Sequence, residues 1–559
     1  MLKQSARMLI FTIIVFILVI SACNQGGGAP ATQPISPTTQ PTERKVLTIT
    51  FTQEFDTLNY YWSNMWFSQV VWDLWNCWAW MYDDQNKPFP YLVTEIPSTD
   101  NGGVSADGKT ITLHLRDDIK WSDGTAITAN DFIFTWQMIV EPKNTVASTY
   151  PYDLIESVEA PDPQTVVTKF TDPYAPWESQ LWHGLLPEHI LKPVFEANGT
   201  LDTAEFNKAP NISCGPYKFN KWETGSYANF LINENWWGTK PKIEEIFFRF
   251  VPDDASQTKA LQAGDADIGA FIPYPDVPTL KEAGLQIMIE QSGGSEGLFM
   301  TVSDEFSNPG LTDVRIRQAI AHGIDRDKIN KDLHYGLTTA PSSFWFAIPD
   351  YDSVPQPQYN YDPERAKQLL DEAGWIDANG DGVREKDGND LVVRYGTTIR
   401  EDRQNVQAVI QQELAKIGIK VEIQSWEADT FFADYINNGP GARGQLDIQE
   451  WSDYPAFPDP DIYYWLCSEI PTAENPSGTN TMFICDEELD QLIQLQVTQT
   501  NKAERQKTIE RIKQIFQEQV YWIGLWADPD VWAVNSRVLN VKFSGKTPFF
   551  SIVEWDIQQ

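Results

Sequence analysis

The chain is short of bases and of metal-binding side chains. Its 559 residues include 42 Lys and Arg against 78 Asp and Glu, a formal charge of −36. A nucleic-acid ligand needs a basic face, so that class of partner is excluded. The acidity supports solubility and favours cationic over anionic ligands. The five histidines, His114, His183, His189, His322 and His334, form no HExxH and no clustered spacing, which argues against a zinc or nickel centre. There are five cysteines and no CxxC pair. No P-loop, dinucleotide fingerprint or Ser, His, Asp order is present. The one long apolar run, residues 8–20, is too short to cross a bilayer.

What is there begins at that run. Lys3 and Arg7 precede it and Ile20-Ser21-Ala22-Cys23 ends it, the pattern of an export signal. The four residues resemble a bacterial lipobox, which predicts cleavage after residue 22 and diacylglycerol on Cys23, an anchor that two or more acyl chains make stable. Residues 24–43, rich in Gly, Pro, Thr and Gln, read as a tether. The folded part is expected from Lys45 and is long enough for two or three domains. An exported chain permits disulfides among Cys77, Cys214, Cys467 and Cys485. Three pairings are open, and Cys467 with Cys485 closes the shortest loop; four buried thiols are the alternative.

VLTITFT, from Val46, alternates like a half-buried strand. Trp72, Trp75 and Trp78, spaced by three, predict a helical face in the core, whereas Trp62 and Trp66, beside Asn59 and Asn64, are candidates to meet a ligand. Residues 107–140 read as a strand, a turn at Ser122-Asp123-Gly124, and a helix capped by Thr128. That segment, with KWSDG followed by TANDFIFTW, resembles the signature of the family 5 extracellular solute-binding proteins, the peptide and nickel receptors of ABC importers. CGPYKF at 214–219, residues 233–269 ending AGDADIG, DVRIRQAIAHGIDRDKI at 313–329, YDPERAKQLLDEAGW at 361–375 and QAVIQQELAKIGIKVEI at 407–423 continue the resemblance in order.

The resemblance implies an α/β bilobal fold with a hinge, a ligand cleft between the lobes, and no enzymatic activity. Its layout would be signal peptide 1–22, lipidated linker 23–44, first lobe 45–85 and 211–300 with an inserted subdomain at 86–210, second lobe 301–524, and a return to the first lobe at 525–559. It also implies a monomer at the outer face of the cytoplasmic membrane, partnered by a permease and its ATPase.

Gly293-Gly294-Ser295-Glu296-Gly297 fits the G-x-S-x-G pattern of a secreted serine hydrolase, but strand-like sequence on both sides denies it the strand-to-helix elbow. As a crossing strand bordering the cleft, Gly294, Ser295 and Glu296 would instead meet the backbone of a ligand. EWSDYPAFPDPD, residues 450–461, crowds acids, prolines and aromatics without a base. In peptide-binding members of the family a similar segment supplies an aspartate for the peptide ammonium. That role falls here on Asp453, with Asp459 second and Trp451 and Tyr454 beside it. With 22 tryptophans, an oligosaccharide stacked on aromatic rings is the rival ligand. Asp377, Asn379, Asp381 and Val383 have the spacing of a calcium loop, but its twelfth position is Gly388, so a turn capped by its own carboxylates is the alternative and no cofactor is required.

Overall fold

The strand Val46–Phe51 sits at the middle of a seven-stranded sheet, parallel to both Glu245–Phe250 and Ile268–Gly269. Leu47, Ile49 and Phe51 are fully buried, and so is Thr50 on the opposite face, as expected of a strand covered on both sides. The computed structural model describes residues 44–558 apart from 64, 307–310, 349–350, 352–358, 454–456, 458 and 460. The signal, Cys23, the tether, Asn64 and Tyr454 therefore lie outside the described residues. Among the described residues no helix is long and apolar enough to cross a membrane.

The sheet order is Gln286–Glu290, Asp530–Val534, Ile268–Gly269, Val46–Phe51, Glu245–Phe250, Tyr227–Ile232, Tyr217–Glu223, and this defines the first lobe. A three-stranded sheet of Thr110–His114, Thr165–Phe170 and Ile155–Asp162 forms the core of the inserted subdomain. Against it packs the helix Ala129–Val140, whose Thr128 and Asp131 make a reciprocal capping box. The second lobe is a five-stranded sheet in the order Lys420–Trp426, Val392–Thr398, Ile448–Asp453, Ser295–Met300, Trp522–Ala527.

Two links join the lobes. Gln286–Glu290 leads into Ser295–Met300 through residues 291–294, and Trp522–Ala527 leads into Asp530–Val534 through 528–529. The links run side by side, with the Asp528 amide donating to the Gly294 carbonyl at 2.8 Å. They fall at the glycine pair and at Pro529, against an expected first crossing between Gly294 and Phe306 and a return near Gly524. A strand break needs residues that leave the ladder, and glycine and proline supply it here.

Both disulfides form: Cys467–Cys485 as expected, and Cys77–Cys214, which ties the segment after the first helix to the CGPY strand. The helix Trp66–Trp75 stops before Trp78, so only Trp72 and Trp75 share a helical face, although all three are buried. At least ten tryptophans are almost fully enclosed, among them Trp121, Trp345, Trp532 and Trp555. Their abundance is chiefly a property of the cores.

Candidate ligand cleft

Strand alternation divides the candidate residues between two faces of the second sheet. Ser295 pairs with Asp453 and Gly297 with Trp451, and these share one face; Glu296 pairs with Ser452 on the other. Trp451 stacks on Phe299 with centroids 3.7 Å apart and planes within 6°, and meets Phe431 and Phe432 edge-on. Asp453 is half-buried and accepts the Tyr464 hydroxyl. Ser295 is buried within the strand rather than at a helix start, so no nucleophile elbow exists there.

Glu296, expected at the cleft, is turned into the second lobe. Its side chain is 0 % exposed and grips Arg403 through two bonds, Nε to Oε1 at 2.9 Å and Nη2 to Oε2 at 3.0 Å. The Ser452 hydroxyl donates to the same carboxylate, and Arg403 Nη1 reaches Thr398 Oγ1 at 2.9 Å. Burial pushes the Glu296 carboxyl up, and Arg403 and then Arg400 hold it down.

Asp459 also has a partner that the local sequence hides. Arg505, 46 residues on in the helix Lys502–Gln519, clasps it with both terminal nitrogens, Nη2 to Oδ1 at 2.8 Å. The Tyr150 hydroxyl of the inserted subdomain donates to Asp461, and the Ala175 amide donates to the Val497 carbonyl at 2.6 Å, so the lobes touch across the cleft.

Inside the cleft a cavity of about 210 Å³ is walled by Tyr60, Trp66 and Trp78 of the first lobe, Ser292 of the first link, Phe457 of the acidic loop and Lys546 of the C-terminal return. The acidic loop thus reaches the cavity through Phe457, whose ring lies against Gly293. At φ +82 a Cβ there would fall 2.5 Å from the ring, so glycine permits the contact. A second cavity of about 530 Å³ lies between Gln85, Glu178 and Trp177 on one side and Asp459 and Arg505 on the other. Asn86, on its wall, donates to the Gln291 carbonyl next to Ser292 at 3.3 Å, so the two cavities adjoin. A third, about 550 Å³, opens between Tyr274 and Arg400 on the Ser452 side of the sheet, away from Asp453 and Trp451.

Buried acids stand behind the cleft walls. Asp530, 2 % exposed, is pushed up to about 8 by burial and then by Asp528. Asp73, also 2 % exposed, is raised well above the carboxylate range by burial; the Phe549 amide, the charge of Lys546 and the Trp78 indole ease this, yet neither oxygen has a hydrogen bond of good geometry. His183 stacks on Trp78 at 4.3 Å, meets the Tyr60 hydroxyl at 3.3 Å, and burial holds it well below the ordinary histidine value. Burial brings Lys546 down to about 8, against the pull of Asp73.

Trp66 lines the cavity. Trp62 does not: its indole donates to Asp202 Oδ1 at 2.8 Å within the first lobe. Sequence reasoning passed over Lys546, Tyr60 and Asp530, and assigned Trp78 to the core alone. No local pattern marks Lys546, which follows Arg537 and Lys542 in the last segment of the chain. In the proposed calcium loop Asp377 accepts the amides of Gly380 and Gly382 at 2.7 and 3.1 Å, Asn379 that of Asp381 at 2.8 Å, and Asp381 that of Val383 at 2.9 Å. Among the described residues no group of three His, Cys, Asp or Glu side chains is arranged for a metal.

Two α/β lobes, two links and a walled cleft between them define a solute-binding protein of the bilobal class. The chain belongs to the bacterial extracellular solute-binding proteins, family 5, which it matches over residues 87–471. It is 26% identical over 469 residues to the oligopeptide-binding protein AppA of Bacillus subtilis, covering 81% of each chain. It is 28% identical over 454 residues to OppA of Mycobacterium tuberculosis, an oligopeptide-binding protein, covering 78% of this chain and 72% of that one. Among solved structures, NikZ of Campylobacter jejuni in complex with Ni(L-His) superposes with a TM-score of 0.74 at 25% identity, covering 92% of this chain and all of that one. These relatives bind solutes, and this chain is a substrate-binding protein of the ABC-importer type, not an enzyme.

Proposed function

We propose that the protein captures oligopeptides in the inter-lobe cleft and delivers them to a membrane permease driven by a separate ATPase, while a lipid on Cys23 holds it at the outer face of the cytoplasmic membrane. The observation that carries the reading is the placement of Asp453. It ends the Ile448–Asp453 strand beside the first link, half-buried, on the Trp451 face, with the Tyr464 hydroxyl to orient it. A carboxylate so placed forms a charge-assisted bond with a peptide ammonium. The backbone of residues 451–453 is laddered to Ser295–Met300 on one edge, and the register pairs on its other edge, toward Val392–Thr398, end at Gln449. An extended peptide adds a strand to such an edge. The oligopeptide-binding relatives support the same ligand class.

Trp66 and Trp78 on the cavity wall favour an oligosaccharide as the second reading, since sugar rings stack on indoles. Calorimetric titration with peptide and oligosaccharide mixtures separates the two. Peptide binding that Asp453→Ala weakens at least tenfold, with melting unchanged, supports the proposal; unchanged affinity removes Asp453 from the site.

A further inference from the structure

Among the described residues Lys546 is the one charged side chain on the wall of the 210 Å³ cavity, in a chain of formal charge −36. It is held there by a rigid turn. Ser544 Oγ accepts the amides of Lys546 and Thr547 at 3.2 and 3.3 Å and donates to Asn86 at 3.2 Å. Thr547 Oγ1 exchanges hydrogen bonds with the Tyr82 backbone at 2.8 and 3.0 Å. Gly545 presses on the first link so closely that a Cβ would lie 1.9 Å from the Gln291 carbonyl oxygen. The turn therefore fixes the lysine beside the segment on which the lobes hinge.

Its ammonium acts in the fold only through space, on Asp73. Among the described residues Nζ makes no hydrogen bond or ion pair, unlike Arg403 and Arg505, which are saturated by Glu296 and Asp459. Asp73 lies behind it, near enough to feel its charge, but makes no hydrogen bond to it. A half-buried cation with no bonded partner is costly, and a ligand anion would supply the charge-assisted bond it lacks. A single ammonium matches the single charge of one ligand carboxylate.

We propose that Lys546 is the seat of the ligand's carboxylate, a specificity-determining residue that selects free-acid peptides over amides and neutral sugars. The inference rests on the peptide reading above and deepens it. The ligand carboxylate lies against the first lobe at Lys546 and its ammonium against the second lobe at Asp453. One zwitterion then ties both lobes, and closure is favoured by a ligand carrying both ends.

The test uses trialanine, its C-terminal amide and, as probes without an ammonium, N-acetylalanine and N-acetylalaninamide. Trialanine is expected to bind the wild type at least about tenfold more tightly than its amide. Lys546→Met abolishes that preference by weakening only the free acid, and Lys546→Arg keeps it. Equal affinity of acid and amide for the wild type, or an equal loss of both in Lys546→Met, overturns the seat and leaves the peptide reading standing. If neither tripeptide binds, the peptide reading fails for this ligand and the seat is judged by thermal shift with the acetylated pair. A rise with N-acetylalanine alone, absent in Lys546→Met, supports it; no rise with the acid overturns it.

Discussion

Each lobe buries a carboxylate near the cleft, and the two are treated in opposite ways. In the second lobe Glu296 receives two bonds from Arg403 and one from Ser452. In the first lobe Asp73 receives no bond of good geometry, and the nearby Lys546 gives none. A buried ion pair with all its partners locks a fold, because removing either member strands the other charge in a poor solvent. An ammonium left unsatisfied is held in reserve for something that arrives from outside. The difference separates residues that build the receptor from residues that read the ligand.

The comparison breaks most visibly at Arg403. Arg403→Met leaves Glu296 buried and unpaired and is expected to cost about 3–5 kcal/mol in chemical denaturation. Lys546→Met is expected to raise the midpoint, or leave it unchanged, in the same measurement. The sign follows from the lowered value of Lys546, about 8 in the folded chain against 10.5 for the free group. The folded state holds this proton less tightly, so its destabilising contribution is full below pH 8 and disappears as pH rises toward 10.5. The gain from Lys546→Met should follow that window.

Next in size, Asp453→Ala should weaken peptide binding at least tenfold in calorimetry while shifting the melting temperature little, since Asp453 is only half-buried. Asp530 supplies a pH-dependent effect instead, because its folded value near 8 lies far above that of a free aspartate. The folded state binds the extra proton, so stability from this group is full below about pH 4 and is lost as pH rises to 8. The stability difference between wild type and Asp530→Asn should therefore drift against the wild type across that interval and be flat above it. Smallest of all is calcium: because Asp377, Asn379 and Asp381 already accept backbone amides, adding calcium or EDTA should leave the melting temperature unchanged.

Much of this was legible in the chain. The capping box at Thr128 and Asp131, the central strand at Val46–Phe51 and the short disulfide loop rest on local chemistry, which a sequence displays directly. The family motifs carried the bilobal fold. The phase of Ser295–Met300 was not legible, because all six residues are buried and alternation gives no sign of which face meets the cleft. Nor was the pairing of Asp459 with Arg505, since a base 46 residues away leaves no mark on an acidic loop. Trp62 and Trp66 look alike in sequence and diverge only because Asp202, 140 residues from Trp62, captures its indole. Lys546 belongs to no motif; its meaning comes from the acids and aromatics that folding gathers around it.

The most direct test is native mass spectrometry of the gently purified protein beside its Asp453→Ala variant. The account predicts a ladder of peptide masses retained by the wild type and lost from the variant. Hexose-spaced masses, or peptide masses kept equally by both, would contradict it.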